Sequence, residues 1–515
     1  MLAQNKNLSE EARRLRAIFD AASEWLLSGE TDFALHSDEI EIAAQNERLI
    51  LSCLTTEGWK TRRVEHWENK NGKIIFSLAG KFNSEKTKFT FTPRVSAAEL
   101  SEEVRAARTA RAREIAEIAR KMFSPQAKIE YARLTARSRR RRTGSFARIL
   151  LVNPKGKTIA VCSTVLEKTN IEKLLAHSIL WLSKLEERRK IAELWLLCEE
   201  TAAEDLNKLC GLLRGGWRKK MKIFYRISQS EISSENPQTQ NEREILRAIE
   251  PLSLADLWRE KPKKLKRPAH RDLSETAQRI IELAPEAIDA VRSRAGETLR
   301  FYGLPFLRIR KILEAETAWF GIEGKRKRIL DDASLPDFEK LLEDLLEQRR
   351  ADVRYRKNFL HSAAPESWLE AILRRDVSRL DPNLRLSPLH AQFRLSNRKG
   401  ALDLLALRTD GRLVVIELKT APDREMIFQA VNYWRQIELQ RRSGNLQKIG
   451  LFDDLKISDA PALVYLVAPL MSFHPEFEIL ANAISSEIEI WRFDLNEDWR
   501  NGIRVAQRKR VLDIK

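Results

Sequence analysis

The stretch Gly400–Trp434, GALDLLALRTDGRLVVIELKTAPDREMIFQAVNYW, constrains this chain more than any other. It reads as strand, tight turn, strand, helix. Asp403 lies in a first apolar run, Asp410-Gly411 is a turn signal, and Leu413 to Ile416 is continuously apolar before Glu417 and Lys419. If Thr409, Asp410 and Gly411 form a three-residue loop with the glycine left-handed, Arg408 opposes Arg412. Counting back along that ladder sets Asp403 opposite Glu417. Opposed Cβ atoms lie about 4.5–5.5 Å apart, and Lys419, two residues on, points to the same face. Two carboxylates that close repel unless a cation joins them. Few hard oxygen ligands suit Mg²⁺, which keeps several waters and takes one or two carboxylates with phosphate oxygens. Such an ion polarises a phosphodiester and acidifies a bound water, and Lys419 can orient that water or balance charge on the phosphate.

An aspartate on one strand and Glu-x-Lys on the next resembles the PD-(D/E)XK nuclease superfamily; the half-motif Leu402-Asp403 lacks the proline. Gln429 and Tyr433, in a Gln-x-x-x-Tyr pattern, are similar to the RecB-type and NucS-type branches. Upstream, Pro365–Leu373 reads as a helix start with an acidic first turn. The resemblance implies a glutamate on that helix; Glu370 fits the place, with Glu366 one turn earlier as the fallback. It further implies a restriction-endonuclease-like mixed sheet flanked by helices. Asp403, Glu417 and the Leu418 carbonyl would hold Mg²⁺, or Mn²⁺ as the alternative ion. Glu370 would bind a second ion or order water, Lys419 would help activate the nucleophile, and Gln429 and Tyr433 would support the site. Residues 365–440 carry this likeness.

Glu-x-Lys alone means little, since Glu68-Asn69-Lys70 and Glu323-Gly324-Lys325 also occur without a strand or partner aspartate. An isolated charged triplet at a strand end is commonly a solvated edge or a surface ion pair. The net charge of +18 points independently to a polyanionic partner. The expectation is therefore a Mg²⁺-dependent nuclease, an endonuclease acting on DNA ahead of RNA. The alternative is a non-catalytic nucleic-acid-binding protein on a worn nuclease scaffold. Arg139, Arg140, Arg141 and Arg142, with Arg398 and Lys399, are the candidate phosphate contacts. Gly156-Lys157-Thr158 imitates the end of a P-loop, but Leu151 stands where that motif needs glycine, so an ATPase is excluded.

At 515 residues, 43% of them hydrophobic, the chain suits several α/β (α+β) domains. Residues 1–98 read as a small α+β domain with a hairpin at Asn71-Gly72, and 99–145 as an arginine-rich helical linker. Residues 146–230 form an α/β domain; 231–276 are a polar basic linker, 277–350 a small bridging subdomain and 351–515 the nuclease-like domain. FARILLVNPKGKTIAVCSTV can be laid on ALDLLALRTDGRLVVIELKT without a gap, which puts Arg148, Cys162 and Thr164 on Asp403, Glu417 and Lys419. We read residues 146–230 as a degenerate second copy of the nuclease core that has lost its metal ligands. Four cysteines without Cys-x-x-Cys spacing read as buried thiols, no apolar run is long enough for a membrane, and the N-terminus lacks a secretory apolar region. A cytoplasmic or nucleoid-associated protein is expected, and a homodimer is compatible with the sequence.

Overall fold

The computed structural model describes every residue except 1, 23, 29–32, 46–47, 56–57, 71, 80–86, 95–96, 137–142, 167, 228–244, 263–264, 266–271, 294–295, 313–314, 323–327, 353–358, 387–402, 453–454 and 512–515. The described residues form a mixed α+β multidomain chain with four sheets. Arg139–Arg142, Arg398, Lys399 and the strand expected at 389–395 lie outside them. Among the described residues no helix is long and apolar enough to cross a membrane. All four cysteines are buried as thiols.

The chain divides into two units, residues 1–110 with 136–143, and residues 111–135 with 144–515. In the smaller, helix Leu2–Asp20 covers a seven-stranded antiparallel sheet. Leu15 and Phe19 bury their side chains against Trp25, Phe76 and Phe91, and the Phe19 and Trp25 rings meet edge to face at 4.8 Å. The hairpin around Gly72 sets Lys70 opposite Lys73, as its turn residues lead one to expect.

The larger unit holds two six-stranded sheets. Helix α1 (Ala97–Phe123) enters it from residue 111. Strands β1 (Lys128–Ala136), β2 (Thr143–Val152) and β3 (Thr158–Thr164) follow, then helix α2 (Ile171–Glu186), β4 (Glu193–Glu199), helix α3 (Glu200–Cys210), β5 (Met221–Ile227) and β6 (Ile245–Ile249). The sheet order is β6-β5-β4-β3-β2-β1. Residues 99–145 are therefore not a linker. Ala112, Ile115, Ala116 and Ala119 form a helical stripe of small apolar side chains that packs on Ile149, Leu151, Ile159 and Val161. Arginines on the other faces of α1 hide that stripe in the composition. β6 and the buried Leu257 likewise belong to a fold where a basic linker was expected.

After a five-stranded antiparallel sheet spanning 288–329, the second six-stranded sheet follows helix α4 (Pro365–Arg375). Its elements are β7 (Leu384–Leu386), β8 (Leu404–Arg408), β9 (Leu413–Leu418), helix α5 (Met426–Arg442), β10 (Leu463–Pro469), helix α6 (Phe477–Asn482), β11 (Ile490–Leu495) and β12 (Val505–Arg510). The order β7-β8-β9-β10-β11-β12 repeats the first sheet strand for strand. In each, an antiparallel hairpin is followed by two parallel pairings and one antiparallel pairing. The registers also agree: Arg148 faces Cys162, and extending the Leu404–Ile416 ladder by one step sets Asp403 against Glu417. Helices cover equivalent faces, with α1 and α4 on one side and α2 and α5 on the other.

Arg349, fully buried, ties the five-stranded sheet to α4. Its guanidinium donates to the carbonyls of Phe301 (3.0 Å), Tyr302 (2.9 Å), Leu360 (2.6 Å) and Ala363 (2.7 Å), and lies 4.5 Å from the Trp368 ring centroid. Gly303 makes that contact close: at its φ of +78° a Cβ would sit 1.9 Å from the Ser367 carbonyl oxygen. Arg349→Ala strips the donors from four carbonyls, and we expect urea unfolding to show a loss of roughly 3 kcal/mol or more. A loss below about 1 kcal/mol would show that water replaces the guanidinium without penalty.

Candidate active site

The β8–β9 turn determines where the charged residues fall. Arg408 N–H donates to the Arg412 carbonyl and Gly411 N–H to the Arg408 carbonyl, both at 2.8 Å, and Gly411 has φ +81°. The loop thus has three residues, with its glycine in the left-handed region. Leu404, Ala406, Val414, Ile416 and Leu418 pack beneath Trp368, Leu369 and Leu373 of α4. Leu405, Leu407, Leu413 and Val415 pack on Phe428, Val431 and Trp434 of α5. By strand alternation Asp403, Glu417 and Lys419 project on the α5 side.

There the three groups meet. Asp403 Oδ2 accepts from the Leu418 N–H at 2.8 Å, and Lys419 Nζ donates to Glu417 Oε1 at 2.8 Å. Glu417 and Lys419 are 3% and 9% exposed, while Asp403 is half-buried. Burial pushes the Glu417 carboxyl up to about 7, against the pull of Lys419 and with Glu366 and Asp423 adding to the rise. Asp403 is driven well above the carboxylate range, first by burial and then by Glu417, with the Leu418 N–H and Lys419 opposing. Lys419 is held charged: burial lowers its pKa, but Glu417, Glu366 and Asp403 together raise it further.

Among the described residues Glu417 Oε2 is buried with no hydrogen-bond partner, and so is Gln429 Oε1 on α5. An ionised oxygen left so is costly unless a proton or a cation satisfies it. Tyr433, one turn beyond Gln429, is half-buried, and burial followed by the fields of Glu417 and Asp403 raises its pKa. Both supporting residues therefore sit on the helix that faces the carboxylates. Among the described residues no three His, Cys, Asp or Glu side chains gather closely enough to hold a metal. The available donors are two carboxylates, a set that fits a hard cation retaining most of its water.

Glu370 lies on the helix that the resemblance implies, with its carboxylate already paired. Its carboxylate accepts from Arg374 Nε at 2.6 Å and pairs with Arg300 at 3.7 Å, and Arg300 also binds Asp289. Two guanidiniums pair with it, and its field still reaches Asp403, whose carboxyl it helps to raise. Arg374 Nη2 also donates to the Asp403 carbonyl at 3.2 Å, which links Glu370 to the strand that carries Asp403. The i,i+4 spacing of Glu370 and Arg374 is a pairing signal that sequence reading passed over. Glu366, exposed in the first turn of α4, is the acidic residue of that helix whose field reaches Glu417 and Lys419.

The raised carboxyls fix a sign. Their protonated forms stabilise the fold fully below the ordinary carboxylate range, and that contribution disappears as pH rises through about 7. In EDTA, urea unfolding should lose on the order of 2 kcal/mol between mildly acid and neutral pH, and Glu417→Gln should flatten that slope. A wild-type profile as flat as that of the variant would show the carboxyl to be ordinary. No family model matches this chain, and no curated protein does. A solved structure, that of EndoMS in apo form, aligns over 38% of this chain and 89% of its own at 12% identity and a TM-score of 0.14.

Proposed function

We propose that the C-terminal sheet domain is a Mg²⁺-dependent phosphodiesterase that acts as an endonuclease on nucleic acid, DNA ahead of RNA. The observation that carries this reading is Asp403 one step beyond the Leu404–Ile416 pair, level with Glu417 and beside Lys419, with one buried Glu417 oxygen left without a partner among the described residues. Asp403 Oδ1 and Glu417 Oε2 would hold the ion, with the Leu418 carbonyl beside them. Bound there, a divalent ion supplies a Lewis acid and lowers the pKa of water.

The protein's own groups do the rest. The raised carboxyls must ionise before they can hold a cation, so occupancy of the site would increase with pH. Glu417 orients the Lys419 ammonium, which then offers protons to an oxygen of the phosphate as negative charge grows on it. Gln429 Oε1 can accept a hydrogen bond from a water, and the Tyr433 hydroxyl, held neutral, can donate to a water or a phosphate oxygen. Glu370 acts through Arg374 as a positioning residue for the Asp403 backbone. The excess of Lys and Arg favours a polyanionic substrate.

The test uses supercoiled and single-stranded DNA with the full chain in Mg²⁺, in Mn²⁺ and in EDTA. We expect metal-dependent cleavage, with Lys419→Ala lowering kcat by roughly 100-fold or more while DNA affinity measured in EDTA stays near that of the wild type. DNA binding with no cleavage in either metal would favour the non-catalytic scaffold instead.

A further inference from the structure

The two six-stranded sheets meet through a contact that is the same from both sides. Leu213, just beyond α3, bridges Ile484, just beyond α6, and these are equivalent places in the repeated order of elements. Arg214 N–H donates to the Ala483 carbonyl and Ser485 N–H to the Leu212 carbonyl, both at 2.9 Å, so each bond is the image of the other. One apolar cluster runs through both halves, from Leu174 and Leu213 to Phe428 and Ile484. This is an isologous interface formed within one polypeptide.

Under that pseudo-two-fold the counterpart of the Asp403–Glu417–Lys419 site is Arg148, Cys162 and Thr164. Its chemistry is inverted. Arg148 Nε donates to His177 Nε2 at 2.8 Å, and the guanidinium lies 5.6 Å from the Trp181 ring centroid. His177 is held neutral, pushed down to about 3 by burial with Arg148 and Arg424 adding to it. Burial pushes the Cys162 thiol up to about 11, so it offers no thiolate to a metal. From the other half comes Arg424, on the connection between Lys419 and α5, 47% exposed at its side chain and donating to His474 Nε2 at 3.1 Å. Lys184 of α2, 61% exposed, joins them. Among them Glu476 pairs with Lys184 at 2.5 Å and Arg424 at 3.1 Å. Asp423 adds a second carboxylate whose field reaches His474, and the three cations still outnumber the acidic groups here, whereas acidic groups outnumber the lysine in the other half.

We infer that Arg148, Arg424 and Lys184 hold a backbone phosphate of the nucleic acid without metal, at the pseudo-symmetric counterpart of the cutting site. This rests on the reading of the chain as a nucleic-acid-binding nuclease. A guanidinium is a permanent cation with donors that fit phosphate oxygens, so it offers directly the positive charge that the other half obtains only from a bound ion. One chain then contacts two phosphates across its own two-fold and cuts at one of them.

The experiment measures duplex DNA binding by the full chain in EDTA from about 50 to 200 mM salt. Arg148→Gln and Arg424→Gln should each weaken binding by about tenfold at the low end and reduce the salt slope by about one, while Arg148→Lys keeps the slope. Should Arg148→Gln fail to fold by circular dichroism, the exposed Arg424→Gln decides alone. A wild-type slope in the folded glutamine variants overturns the inference, as does absence of duplex binding by the wild type in EDTA. The nuclease reading is judged separately, by metal-dependent cleavage of the same DNA, so the two can fail independently. Conversion of supercoiled plasmid to open circle as the first product supports a single cutting centre; direct conversion to linear DNA counts against it.

Discussion

Register between two neighbouring strands decides everything about the candidate site. A one-residue slip of β8 against β9 would turn Asp403 into the apolar layer beneath α4 and leave Glu417 opposite a leucine. Three things prevent it. Gly411 takes a left-handed conformation that favours glycine, and a Cβ there would lie 2.8 Å from the Lys456 carbonyl oxygen. The apolar residues of both strands sort cleanly between two helices, and Asp403 closes the open end of the ladder on the Leu418 N–H.

The same register exposes a tension that the rest of the site answers. Glu417 is placed where water hardly reaches, beside a second carboxyl, with one oxygen satisfied by Lys419 and the other by none of the described residues. A fold selected for stability alone would put an apolar residue there, as the other half of the molecule does with Cys162. Keeping the charge in such surroundings makes sense if a ligand completes it. The ion-pair chain from Asp289 through Arg300, Glu370 and Arg374 to the Asp403 carbonyl ties the strand to α4 and the five-stranded sheet.

Much of this was legible in the sequence because it depends on local rules. The turn at Asp410-Gly411, the period-two strands and the gapless overlay of residues 146–165 on 401–420 all follow from neighbouring residues, and the structure has the same hairpin, the same order of elements and the same register. What sequence could not supply was partnership over long distances. Glu370 gave no sign of its pair with Arg300, seventy positions away, and Arg349 looked like one arginine among many because its four carbonyl partners belong to two separate segments. The stretch 99–145 was misread for another reason: alanines carry the buried stripe, and composition weights alanine far less than the arginines beside it.

The self-complementary bridge at Leu213 and Ile484 has a consequence for heredity. In an assembly of identical subunits one codon change alters both partners at once, so neither side can lose its ligands while the other keeps them. Here the two partners are encoded separately on one polypeptide, and each can drift alone. Covalent linkage is what lets one half keep acidic residues and the other acquire arginine at the matching place, a division of labour closed to any symmetric pair.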